Sequence, residues 1–159
     1  MKAAGVKEIK EALQDASHAD LVACCLRLAR FRQDSKELLT YLLFEAHDEN
    51  GYVSHVKESL GDMFHDVNTK NLYYAKKTIR KIVRTANKYI RYSGQNITEA
   101  EILLYVAEKI KELDLDLTKS PVLMNLYKGL LKKLDKCLAG MHEDLRYDFT
   151  GARTEVEIG

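Results

Sequence analysis

The sequence predicts an all-α protein, a helical bundle or a short array of antiparallel helical pairs, with about seven helices. Three observations carry that prediction. Apolar residues recur every three or four positions along most of the chain. No segment of useful length alternates apolar with polar residues, and 159 residues hold one proline and eight glycines. So few chain breakers leave long helices uninterrupted. The length suits one domain, expected over residues 1–146, with 147–159 as a flexible C-terminal tail.

The first helix is read over Val6 to Ala16, with Val6, Ile9 and Leu13 on one face. The second, Ala19 to Phe31, is apolar around most of its circumference through Leu21, Val22, Cys24, Cys25 and Leu28, which predicts a central place in the packing. Asp34 and Glu37 have the spacing of a reciprocal cap for a third helix, Lys36 to His47. The run DENG from Asp48 to Gly51 reads as a turn before a fourth helix, Tyr52 to Asp66. The longest segment, Lys70 to Tyr92, carries one stripe of Leu72, Ala75, Ile79, Ile82, Ala86 and Ile90, and Gly94 supplies its stop. Thr98 and Glu101 form a second capping box, opening a sixth helix through Ile102, Leu103, Val106, Ile110 and Leu113. Ser120 and Pro121 start the seventh, which uses Leu123, Tyr127, Leu130, Leu134 and Leu138. From Tyr147 onward no period is evident. The second, third and fifth helices are expected to supply much of the core.

Hydrophobic residues at 46% and charged residues at 31% are a globular balance, not a disordered one. The N-terminal residues lack the apolar core of a signal peptide. The most apolar stretch, Leu38 to Ala46, is about half the length of a membrane span and contains Glu45. A cytoplasmic protein without a membrane partner is therefore expected. Cys24, Cys25 and Cys137 are odd in number and sit among apolar residues, where free cysteine acts as a small hydrophobe in a reducing compartment. No CxxC, GxSxG, HExxH or phosphate-cradling glycine loop occurs. Nothing names a reaction, and the sequence leans away from an enzyme.

The sharpest irregularity is electrical. Lys70, Lys76, Lys77, Arg80, Lys81, Arg84, Lys88 and Arg91 stand between 70 and 92 without one acid, in a chain whose net charge is +1. Lys77, Arg80, Lys81, Arg84, Lys88 and Arg91 share one arc of the helix, bordered by Tyr73 and Tyr92. Basic groups beside aromatic rings suit phosphate contact with base stacking, so nucleic acid is one candidate partner. The acidic stretch before it, with Glu45, Asp48, Glu49, Glu58, Asp62 and Asp66 against Lys57, offers a different reading. Opposite charges can complement each other within the chain or between copies, or the face can simply be solvated. Tyr73, Tyr74, Tyr89 and Tyr92 equally suit an interface or the rim of a core.

A metal site is the alternative. Glu58, Asp62 and His65 lie at i, i+4 and i+7 on one helix face, and Asp62 with His65 has the carboxylate-x-x-His spacing of dinuclear bundle sites. Glu45, His47 and His55 are near in sequence. The matching glutamates and a second such pair are missing, and two acids and a histidine on a polar face are commonly just solvated.

The runs KELLTYLLFEAHDENGYV (Lys36 to Val53) and NLYYAKKTIRKIVRTANKYIRYSG (Asn71 to Gly94) resemble a small, uncharacterised bacterial α-helical family. The resemblance covers roughly the first two-thirds of the chain. It implies a bacterial, cytoplasmic origin and brings no catalytic or binding residues. The residues together point to a non-enzymatic interaction protein whose basic helix, 70–92, contacts an acidic protein surface, a second copy or a nucleic acid. That reading needs no cofactor; the alternative is a carboxylate–histidine protein holding a divalent metal.

Overall fold

The computed structural model describes residues 1–158, and these contain eight α-helices and no strand. Their contacts divide the chain into two compact units, one of residues 1–44 and one from Glu45 onward.

The first unit holds α1 (Val6–Asp15), α2 (His18–Phe31) and α3 (Gln33–Thr40), and a π-helical turn at Tyr41–Glu45 continues the last of these. Ser17 caps α2, its hydroxyl accepting from the Asp20 amide at 3.1 Å. Arg32, extended at φ −144° and ψ 144°, separates α2 from α3. No residue of α1, α2 or α3 is buried. The expectation that the second helix supplies core is therefore corrected, while the third, expected over Lys36 to His47, contributes Tyr41 from the π-helical turn. Leu28 and Phe31 are 61% and 80% exposed, and Cys24 and Cys25 are exposed thiols. The apolar arc of α2 is too wide for its main neighbour in this unit, α3, to cover.

The second unit holds α4 (Glu49–His65), α5 (Leu72–Ser93), α6 (Asn96–Glu112), α7 (Pro121–Ala139) and α8 (Glu143–Glu155), with a 3-10 turn at Leu117–Lys119. Its middle is α6, which packs on α4, α5 and α7 and buries Thr98, Ala100, Ile102, Leu103, Val106, Ala107 and Ile110. Leu60 of α4, Ile79 and Ile82 of α5, and Leu123 and Leu134 of α7 complete the best-covered part of the core. Each side chain of this size, once fully buried, contributes about 1.5–3 kcal/mol.

Local chemistry explains the helix ends. Asp48 caps α4, its carboxylate accepting from the Gly51 amide at 3.0 Å, so the helix begins at Glu49 within the run expected as a turn. Asn71 caps α5 through the amides of Tyr73 and Tyr74. Gly94 ends that helix at φ 67°, a left-handed conformation that glycine adopts without a Cβ clash. Ser120 caps α7 ahead of Pro121.

The two expected capping boxes are corrected. In α3, Asp34 and Glu37 lie inside a helix that starts at Gln33. In α6 the helix starts at Asn96, leaving Thr98 in its first turn, 1% exposed. The Thr98 hydroxyl donates to Glu49 Oε1 at 2.6 Å, and the Ser93 hydroxyl donates to the same oxygen. One carboxylate of α4 thus ties the end of α5 to the start of α6. Glu101 is taken by Lys57 of α4 at 3.0 Å.

The C-terminal stretch also differs from expectation, since α8 occupies Glu143–Glu155 where no period was read beyond Tyr147. Its anchors are non-local. Arg153 forms a two-pronged pair with Asp135 of α7, at 2.6 and 2.9 Å, which holds the guanidinium firmly charged. Val156 is 2% exposed, and its carbonyl accepts from the Tyr127 hydroxyl at 2.6 Å.

Candidate anion-binding groove

Helix α5 positions the basic residues by the same periodicity that builds the core. Ala75, Ile79, Ile82, Ala86 and Ile90 are buried. At about 100° per residue, Lys77, Arg80, Lys81, Arg84, Lys88 and Arg91 span roughly 100° of arc centred opposite that stripe. Lys77, Arg80, Lys81, Arg84 and Arg91 are exposed. Among the described residues none of these five takes part in an ion pair. Lys88 is half-buried, with its ammonium 5.7 Å from the centre of the Tyr89 ring.

Part of the arc becomes concave beside α7. Arg80, Val83, Arg84, Asn87 and Arg91 of α5, with Leu126 and Lys133 of α7, line an open groove of about 690 Å³. The Lys133 ammonium donates to Asn87 Oδ1 at 2.6 Å and lies 3.5 Å from Glu99, so it bridges the two helices and is partly neutralised. The three arginines differ from it. They stand about 6 and 10.5 Å apart along the helix axis, at 1.5 Å per residue. The α5 cations of the groove are all arginines, while Lys77 and Lys81 stay outside it. A guanidinium presents a planar fork matched to phosphate or carboxylate oxygens, which an ammonium does not.

The acidic residues ahead of α5 do not neutralise these arginines. Glu58, Asp62 and Asp66 are exposed and lie in no ion pair among the described residues. Glu45 sits 3.3 Å from His55, and Asp48 serves as a cap. The metal alternative finds little geometric support. Glu58, Asp62 and His65 are all exposed on α4, and no three His, Cys, Asp or Glu side chains gather into a metal-binding group among the described residues. His65 instead lines a cleft of about 210 Å³ with Gly61, Tyr105, Lys109 and Glu112, where Lys109 and Glu112 pair at 2.6 Å.

The tyrosines divide by burial. Tyr73 is 64% exposed and stacks edge-on against Tyr74 at 5.4 Å between centroids, with Lys76 5.3 Å from the Tyr73 ring. Tyr92 is half-buried and meets Tyr89 edge-on at 6.2 Å. Of the two rings expected to border the basic arc, Tyr73 offers the more open face. The contribution from α7 leaves no mark in the periodicity of α5. Leu126 and Lys133 join the groove only because α7 packs on α6 next to α5.

The groove lining holds no histidine, cysteine, serine or carboxylate, and its one amine, Lys133, is engaged by Asn87 and Glu99. Its guanidinium groups can donate hydrogen bonds to oxyanions. No helix among the described residues is long and apolar enough to cross a membrane. Compared with models of known families, with curated proteins and with solved structures, the chain gives no match.

Proposed function

We propose that this chain is a non-enzymatic binding protein whose groove between α5 and α7 grips an anionic partner through Arg80, Arg84 and Arg91. The observation that carries this reading is the set of three arginines on one concave wall, none of them ion-paired among the described residues. Unpaired cations in an open groove are ready to exchange water for phosphate or carboxylate oxygens, and each such contact is a charge-assisted hydrogen bond. An acidic protein surface and a nucleic-acid backbone present the same oxyanion chemistry. Tyr73, exposed in line with the arginines, favours the nucleic-acid arm, because an open ring can stack on a base.

The test is anisotropy of labelled single-stranded RNA, single-stranded DNA and an acidic polyglutamate peptide, titrated with the full chain at low and moderate salt. Binding is expected to weaken steeply with salt. The variant Arg80→Glu, Arg84→Glu, Arg91→Glu should lose it while keeping wild-type helicity. RNA or DNA binding that Tyr73→Ala weakens would identify the nucleic-acid arm, and binding of polyglutamate alone the protein arm. No binding to any probe at low salt would refute the reading, as would unchanged binding by the triple variant.

A further inference from the structure

Charge in this chain is segregated onto two neighbouring helices of the second unit. Helix α5 holds seven basic residues and no acid, and α7 holds Lys128, Lys132, Lys133 and Lys136 against Asp135. The two helices thus carry +7 and +3 in a chain of net charge +1, which leaves −9 for everything else. Asp135, the one acid among them, is taken by Arg153. Segregation of this size draws a polyanion toward one face. Lys136 carries that face across the groove. It is exposed, lies in no ion pair among the described residues, and stands about 60° round α7 from Lys133 toward solvent. Lys133 donates to Asn87 within α5, and the Cys137 thiol donates to the carbonyl of Asn96 just beyond α5, at 3.0 Å. The two helices therefore run in the same direction, and Lys136 stands toward the Arg91 end of α5.

We infer that the groove takes a single-stranded polynucleotide laid lengthwise along α5, with its backbone between the arginines and Lys136 and one base on Tyr73. This rests on the oxyanion groove proposed above and names its ligand. Tyr73 and Arg91 are separated by about five whole turns at 3.6 residues each, so they share one side of the helix. Arg80 and Arg84 fall about 20° to either side of them. The ring and the three guanidinium groups therefore form one line about 27 Å long, at 1.5 Å per residue. Exposed Lys77 stands beside that line between Tyr73 and Arg80. A stacked strand advances about 3.4 Å per phosphate, so about eight nucleotides cover the line, and fewer when the strand is drawn out. Stacking on Tyr73 needs a base with a free face, which a single strand offers and the interior of a duplex does not. An acidic protein surface fits less well. The centre of a protein interface is apolar and poor in charge, whereas this groove sets Val83 and Leu126 among four cations.

The experiment titrates the full chain into labelled thymidine and uridine oligomers of graded length, the matching duplexes and polyglutamate, at several salt concentrations. Affinity should climb with strand length up to about eight nucleotides and rise little beyond that. Single strands should bind more tightly than their duplexes, and the two sugars separate DNA from RNA. Tyr73 is 64% exposed, so its replacement leaves the core intact. Tyr73→Ala should weaken the single strand roughly 5- to 150-fold and leave the duplex unchanged, while Tyr73→Phe keeps the wild-type affinity. Lys136→Gln should weaken the single strand and make its logarithmic salt slope shallower by about 0.7. A duplex or polyglutamate bound as tightly as the single strand, and lost in the triple arginine variant, overturns this inference and leaves the oxyanion groove standing. Single-strand binding unchanged in Tyr73→Ala does the same. No binding of any polyanion removes both.

Discussion

Replacing Tyr127 with Phe isolates a single hydrogen bond that fixes the C-terminal helix. The Tyr127 hydroxyl donates to the Val156 carbonyl at 2.6 Å, and the two residues are 3% and 2% exposed. The substitution removes one oxygen and leaves the ring in place, so packing is conserved. What changes is the carbonyl, which loses its partner where little water reaches it. A buried acceptor left unsatisfied costs about 1–3 kcal/mol, more than the roughly 1 kcal/mol net value of an average hydrogen bond. At 2 kcal/mol the equilibrium constant for releasing the segment after Gly140 rises about 30-fold. Two readings separate local from global effects. Urea unfolding of the full chain reports the total loss, and hydrogen exchange at amides 143–155 reports opening of α8 alone. Arg153 and Asp135 still hold the middle of this helix to α7 in the variant, so α8 should loosen first near Val156. A urea midpoint and exchange pattern both equal to wild type would refute the reasoning, since the carbonyl would then have found water at no cost.

Two further outcomes follow from local geometry. Gly94→Ala forces a Cβ onto φ 67° where nothing lies within 4 Å, so backbone strain acts without any clash. About 1 kcal/mol of stability should be lost in urea, and less in Gly94→Asn, which tolerates the left-handed region better. The alkaline limb of the stability profile should also bend. Burial pushes both the Tyr127 phenol and the Cys137 thiol above their usual values of 10.0 and 9.0. Each group stays protonated in the fold at a pH where the unfolded chain ionises. Stability is therefore complete below pH 9 and falls as pH rises through the raised values. Cys137→Ala should flatten the earlier part of that fall and Tyr127→Phe the later part, read as urea midpoints against pH.

The parts of the fold legible in the sequence are those where one helix face meets one partner. The stripe of α5 from Ala75 to Ile90 is buried as its spacing predicts, and so are Leu123, Tyr127, Leu130, Leu134 and Leu138 of α7. Apolarity around a whole helix was a poorer guide. It described α2 and pointed to the centre of the core, yet that place belongs to α6, whose outer face carries Glu99, Glu101, Glu108 and Lys109. Composition shows that a helix needs cover but not what supplies it. The caps misread at Thr98 and Asp34 fail for a related reason. A Ser or Thr three residues before a Glu marks a helix start only if no stronger acceptor competes, and Thr98 found Glu49 across 49 positions of sequence. The eighth helix did leave a trace. Leu145, Phe149, Ala152 and Val156 stand four, three and four residues apart, but Gly151 interrupts the run, and the anchoring partners Tyr127 and Asp135 act from outside it. For the groove, the sequence showed the α5 cations and their arc, while the wall from α7 depends on tertiary packing alone.

The place of α6 between α4, α5 and α7 also bears on how the chain is made. Synthesis delivers residues in order, at about 5–20 per second. When Ser93 leaves the ribosome, α4 and α5 are the only helices of the second unit available to shield Leu60, Ile79 and Ile82. The helix that covers both arrives next, and α7, which packs on α6, follows from Pro121 onward. A nascent chain stalled before Asn96 thus displays the apolar faces that the finished protein hides most completely. Transiently exposed faces of this kind are what chaperones cover during synthesis.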